Sequence, residues 1–369
     1  MRRLLSSVIL LVLLFAVSCS TTVSIPYIQP SVIDMGGYRN LAVASAVPYR
    51  GFVPYTGWIP GRDIYASRFH IRTGYSYSVV SGVAEYATEE LYSTLLNSGF
   101  FNLLSPSRTD AILNRGSYGY DISEEFRALG YDAVLIPRID NMSVDEYIYS
   151  EPYEEWWTDS EGRRHRSIEY EYYYRQTASI TYTLTLIDTE TGSIVTRRTF
   201  TDSRYRENSF DPVWSRLDDP GYLFRRMLSS FNEGILRQFV PRTRVYDVTL
   251  MNNKPKNESA EIAYKYAKDG NTASALAVFQ DVWESSQHLP SGYNAALFIA
   301  SQGKYDEALD LLLEIQNLYS DEKVRSLYRD IMTIRSRNEE GVGQITGSSS
   351  AVEAKEHNDN DVYFAVLNR

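Results

Sequence analysis

From residue 168 to 187 the chain alternates strictly. Tyr170, Tyr172, Tyr174, Ala178, Ile180, Tyr182, Leu184 and Leu186 take one set of positions, and Glu169, Glu171, Arg175, Thr177, Ser179, Thr181, Thr183 and Thr185 take the other. A period of two over this length dictates a β-strand with one apolar face. At about 3.3 Å per residue such a strand runs roughly 60 Å. That exceeds what a compact domain needs, so its outer half is expected to project.

The segment before it fits a partner strand. Residues 144–175 are dense in Tyr, Glu and Arg, and Asp159-Ser160-Glu161-Gly162 supplies the chemistry of a tight turn. A long hairpin is therefore expected, followed by a turn at 188–193 (DTETGS) and a returning strand at 194–200. Upstream, 41–47 (LAVASAV) and 132–139 (DAVLIPRI) read as buried strands, and Pro137 points to an edge position or a bulge in the second. The Gly-, Pro- and Tyr-rich stretch to about residue 68 reads as a long loop. Val79, Val83, Ala87, Leu91 and Leu95 recur at four-residue steps in an amphipathic helix ending at Ser98-Gly99. A short strand at 100–104 and two brief helices, 107–113 and 123–129, precede the second buried strand. Leu223, Met227, Phe231, Ile235 and Phe239 mark one helix over 222–239, with a further strand by 250. The fold class is α+β, with a mixed sheet, helices and a long hairpin in residues 37–250.

From 260 onward the strand pattern disappears. Residues 260–285 and 293–318 are rich in Ala and Leu, and they repeat. Ala263, Gly270, Ala275 and Leu276 return as Ala296, Gly303, Ala308 and Leu309, each shifted by 33. This resembles the tetratricopeptide repeat, a helical hairpin of about 34 residues. The resemblance covers 256–335, with an incomplete third pair at 321–335. It implies a protein-binding surface, for which Tyr264, Tyr293 and Asn294 are candidate contacts. Residues 336–369 read as a mostly disordered tail, except for 362–367 (VYFAVL), which could dock as a strand.

The chain begins MRRLLSSVILLVLLFAVSC: two arginines, an apolar run too short for a comfortable membrane span, then small residues before Cys19. Ala16-Val17-Ser18-Cys19 resembles the lipobox of bacterial lipoproteins. The resemblance implies a signal peptide at 1–18 and acylation of Cys19, the lone cysteine, by several fatty chains such as palmitate, enough for stable anchoring. Ser20 stands where an Asp would retain such a protein in the inner membrane, which favours the outer membrane, facing the periplasm. Residues 19–36, with Pro26 and Pro30, read as a tether.

Three words, LAVASAVPY (41–49), LYSTLLNSGFFNLLSPSRTDAIL (91–113) and GYDAVLIPRID (130–140), carry a second resemblance. Their pattern and spacing resemble the periplasmic domain shared by the curli secretion lipoprotein CsgG, the penicillin-binding-protein activator LpoB and the amino-terminal domain of TolB. That implies a protein-binding or assembling domain rather than an enzyme, although fold does not fix function.

The remaining chemistry agrees with a binding role. Without Arg2 and Arg3 the chain holds 35 basic against 47 acidic residues, a net charge of −12, which suits nucleic acid poorly. His70, His165, His288 and His357 lack metal-ligand spacing, and no nucleophile elbow, P-loop or dinucleotide fingerprint occurs. No catalytic residue and no cofactor is expected. Arg163-Arg164-His165-Arg166 is the one basic cluster, read either as a solvated loop tip or as a contact for lipid phosphate or an acidic partner. Trp156 and Trp157 beside it are an interface anchor or aromatic cover. The expected function is a lipid-anchored, protein-binding scaffold of the cell envelope. The alternative is an oligomeric secretion or pore-forming subunit resembling CsgG.

Overall fold

The computed structural model describes residues 21–50, 55–57, 70–72, 77–116, 122–209 and 219–347. The signal segment, Cys19 and residues 362–367 lie outside them. The described chain is α+β and forms two units: one from residues 31–240, the other from 21–30 together with 241–347.

The first unit is built on β6 (Ala133–Thr158) and β7 (Arg164–Asp188), antiparallel along their full length. On its other edge β6 pairs in parallel first with β2 (Asn40–Val43), which continues to β5 (Asn102–Leu104), and farther on with β3 (Tyr55–Gly57). β4 (His70–Arg72) pairs antiparallel with β3. β3 therefore occupies part of the stretch read as a loop, and β4 follows it. Among the described residues β8 (Ile194–Ser209) covers the outer edge of β7 from Tyr173 inward, so it runs nine residues beyond the expected 200.

The sheet is covered on both faces. Helix α1 (Tyr77–Asn97) buries Val83, Ala87, Leu91 and Leu95, the four-residue series, with Ala178, Ile180, Tyr182, Leu184 and Leu186 of β7 in the larger core. Helices α4 (Gly221–Ser230) and α5 (Asn232–Phe239) join the same layer. They replace the single expected helix: Phe231 N–H bonds the Leu228 carbonyl, three residues back, and the helix steps there. Helices α2 (Pro106–Gly116) and α3 (Ile122–Ala128) cover the opposite face through Ile112 and Phe126.

Pro137 is not at an edge, but it faces an irregularity: the β2 pairing shifts by one residue between Val43↔Leu135 and Val47↔Arg138. It lies opposite Leu184 in an interior strand. It is tolerated because β2 leaves the ladder there: Ala44 N–H bonds Leu135 O, and the next contact is Val47 N–H to Pro137 O, so no acceptor awaits the missing N–H. In the pairing with β7 a register shift falls later, between Ile139 and Asn141.

In the second unit, five helices follow one another: α6 (Glu258–Lys268), α7 (Thr272–Ser286), α8 (Leu289–Ser301), α9 (Tyr305–Leu318) and α10 (Glu322–Thr346). Asn257, Asn271 and Asp321 cap α6, α7 and α10 with their side-chain oxygens. Gly270 and Gly303 take φ +77° and +78° at the two equivalent turns, a conformation that favours glycine. Helix starts at Thr272 and Tyr305, and at Leu289 and Glu322, repeat the 33-residue shift.

Three expectations change here. Residues 22–29 are not a tether. They form β1 (Thr22–Gln29), antiparallel to β9 (Arg242–Thr249), and Val23 and Ile25 enter the helical core. Pro26 is admissible because the ribbon has only two strands and each is an edge. β9 consequently belongs with the helices and not with the α+β domain. Finally, α10 is one continuous 25-residue helix, so 336–346 is ordered helix and not tail. Gly341 allows that extension: a Cβ there would lie 2.6 Å from Ile28 Cγ2 and 2.7 Å from the Ile28 carbonyl oxygen.

Candidate interaction surface

Among the described residues, β8 pairs with β7 no farther out than Tyr173, and β6 and β7 continue as a two-stranded ribbon from Ser150↔Tyr172 to Thr158↔Arg164. Nine residues per strand extend about 30 Å. Asp159 closes the tip. Its Oδ1 accepts the N–H groups of Glu161 (3.0 Å) and Arg163 (2.8 Å), and Gly162 sits at φ +80°. His165 Nε2 lies 2.7 Å from Asp159 Oδ2. These bonds, that to His165 foremost, hold the Asp159 carboxyl below its usual range.

The register sorts the ribbon's side chains onto two unlike faces, because directly opposed residues share a face. One carries Pro152, Trp156, Ile168, Tyr170 and Tyr172 with Glu154, Arg164 and Arg166. It continues the face on which Ala178, Ile180 and Tyr182 are buried. The other carries Glu151, Glu155, Glu169 and Glu171 with Tyr153, Trp157 and His165. The apolar side chains are unusually exposed: Trp156 49%, Ile168 55% and Tyr170 57%.

The basic cluster does not act as one patch. Arg163 belongs to the turn, pairing with Asp159 (3.0 Å) and Glu161. Arg166 pairs with Glu154 at 3.0 Å, and the Arg164 guanidinium lies 4.7 Å from the Trp156 ring centre. On the other face Trp157 stacks on His165, centres 4.5 Å apart.

The candidates on the helices behave differently. Asn294 is fully buried and Tyr293 nearly so, at 6% exposure. Asn294 Oδ1 accepts Met251 N–H (2.8 Å), and its Nδ2 donates to Met251 O (3.0 Å) and to the Tyr264 hydroxyl (2.9 Å), which itself donates to Met251 O. Burial pushes the hydroxyls of Tyr264 and Tyr293 up to about 12. Asn294 and Tyr264 fasten the segment after β9 to the helices, and Tyr293 is buried in the helical core. Their side chains are used internally, which corrects their reading as partner contacts.

An open cleft of about 290 Å³ lies between the end of β2 and α1, lined by Ser45, Ala46, Glu85, Thr88 and Glu89 among others. Thr88 Oγ1 is already engaged, accepting Ala46 N–H and donating to Ala84 O. Among the described residues no group of three or more His, Cys, Asp or Glu side chains could hold a metal. No helix among them is long and apolar enough to cross a membrane.

No family model matches the sequence, and no curated protein does. Among solved structures the chain is similar to the PelC dodecamer of Paraburkholderia phytofirmans. That match has 12% identity and a TM-score of 0.24, covering 60% of this chain and 99% of PelC. A point variant of the same dodecamer gives 13% identity and 0.24, covering 58% and 97%. A likeness of that size says nothing about what this chain does.

Proposed function

We propose that this chain is a non-enzymatic lipoprotein of the cell envelope, held to the outer membrane through Cys19, that binds another protein. The observation carrying the binding role is the ribbon. Its apolar face extends the core face of β7 past the end of β8 as described, with Trp156, Ile168 and Tyr170 about half exposed in one row. Contiguous exposed apolar surface rimmed by charge is the usual mark of a protein contact. Trp, Tyr and Arg are also the residues that most often carry binding energy. The helical repeats are a second surface for an envelope partner, on exposed positions rather than on Tyr264, Tyr293 or Asn294. The anchor is supported by the lipobox-like sequence.

Photo-crosslinking in intact cells tests the ribbon. A photoreactive residue at Tyr170 should give a discrete adduct, whereas one at Glu169, its neighbour on the acidic face, should give little. Trp156→Ala should abolish the Tyr170 adduct without lowering stability. Equal crosslinking from both faces, or none from Tyr170, would refute the assignment.

A second reading, an oligomeric secretion or pore subunit, is favoured by the faces themselves. A face bearing Arg164 and Arg166 and a face bearing four glutamates are complementary between copies. As a membrane strand pair the ribbon fits less well. Its apolar rows, from Pro152 to Trp156, span only about 13 Å against the roughly 25 Å band of membrane barrels.

A further inference from the structure

The helical unit binds the chain's beginning more tightly than a tether would. Leu250 N–H donates to the Thr21 carbonyl at 3.0 Å, ahead of the first ladder residue. Ile25 is fully buried. The Tyr305 hydroxyl donates to Pro26 O (2.6 Å), and Asn338 Oδ1 accepts Ile28 N–H (2.9 Å). β1 is thus fastened to the helices along its length. Only Ser20 separates Cys19 from Thr21, a reach of about 7 Å at full extension.

What lies at that end of the β1–β9 ribbon is also defined. Residues 251–257 follow Leu250 directly. They include the exposed Lys254 and Lys256 and no carboxylate. The segment is immobilised by Asn294, by His288 Nε2 at 2.8 Å from Pro255 O, and by Asn257 capping α6. Gln29 and Arg242, where the chain leaves this unit, occupy the opposite end of the ribbon, about 23 Å away.

We infer that the end of the helical unit formed by Thr21 and residues 250–257 rests on the lipid headgroups, with Lys254 and Lys256 facing their phosphates. The inference rests on the acylated Cys19 of the proposed function. A headgroup layer is itself about 5–8 Å thick, so a leash of about 7 Å leaves the unit no height to stand off. Each lysine brought to an anionic surface strengthens the contact about fivefold. Lys256 also meets Glu261 at 3.1 Å, but both side chains are more than half exposed, and such a pair competes weakly.

The acylated full-length protein, reconstituted in phosphatidylethanolamine–phosphatidylglycerol vesicles, is pulsed with an amine-acetylating reagent and read lysine by lysine by mass spectrometry. Lys268 and Lys304 are the internal reference, because they lie at the turns that end α6 and α8 away from residues 250–257. Relative to them, Lys254 and Lys256 should label at least about fivefold more slowly than in a soluble Cys19→Ala chain mixed with the same vesicles. Inserting a flexible Gly/Ser stretch between Ser20 and Thr21 should restore their labelling while acylation persists. Equal ratios in the acylated and Cys19→Ala proteins overturn the inference and leave the anchor standing. A mature terminus without acyl chains overturns the anchor and the inference together, and its mass reports this separately.

Discussion

Replacing Gly341 by Ala tests the docking of α10 on β1 through the sign of its effect. In a free helix, or in a tail, the change would help: Ala exceeds Gly in a helix interior by about 1 kcal/mol. Here the new methyl would stand 2.6 Å from Ile28 Cγ2, 2.7 Å from Ile28 O and 3.1 Å from Ile28 C. The side-chain methyl can turn aside, but the carbonyl, which faces α10, belongs to strand backbone held on either side by the pairs Tyr27↔Arg244 and Gln29↔Arg242. Overpacking of this kind costs about 1–3 kcal/mol, the upper part when backbone must move. After the propensity gain, the net loss is about 1–2 kcal/mol in the helical unit, or several degrees in Tm. Calorimetry should show a lowered helical-unit transition, and amide exchange should speed up in both α10 and β1. An unchanged or raised Tm would refute the packing of α10 against Ile28.

Other outcomes follow from the same reasoning. Gly82→Ala, in α1 with nothing within 4 Å of the added carbon, should raise stability by about 1 kcal/mol in denaturant titration. Asn338→Ala removes the acceptor of Ile28 N–H and should cost about 1–2 kcal/mol by the same assay. The Tyr182 hydroxyl is buried without a hydrogen-bond partner among the described residues, and burial raises its pKa. Tyr182→Phe should therefore raise Tm, and a fall would reveal a partner for that oxygen. The Asp159 carboxyl titrates below its ordinary 3.8 in the folded ribbon, so its contribution to the tip is complete above that value and lost as pH falls through the lowered one. Tip amide exchange should quicken in that acid window, and Asp159→Ala should remove the dependence.

Periodicity made the long elements legible. The alternation at 168–187 located β7, and the four-residue series of Val83, Ala87, Leu91 and Leu95 located α1, because each pattern is the imprint of one buried face. Shorter or mixed signals misled. β1 alternates Val23 and Ile25 with polar residues, yet Pro26 and its Thr and Ser content read as a tether. Its fate is decided by a partner 225 residues later, Val23 facing Val248. Gly341 and Gly343 suggested a tail, although one of them is the small residue that lets α10 approach β1. The two faces of the ribbon were half visible. Glu169 and Glu171 alternate with Tyr170 and Tyr172 in the sequence, but adding Glu151 and Glu155 to the same face requires the register that the Asp159 turn imposes. Tyr264, Tyr293 and Asn294 read as contacts from their place on the repeat helices, but the path of residues 250–257 engages Tyr264 and Asn294, and the helical core encloses Tyr293.

Mass spectrometry of the mature amino terminus from isolated membranes tests the anchored-scaffold account most directly. The account predicts a terminus at Cys19 bearing acyl chains, with Cys19→Ala released from the membrane. A free or uncleaved terminus that stays membrane-bound after Cys19→Ala would contradict it.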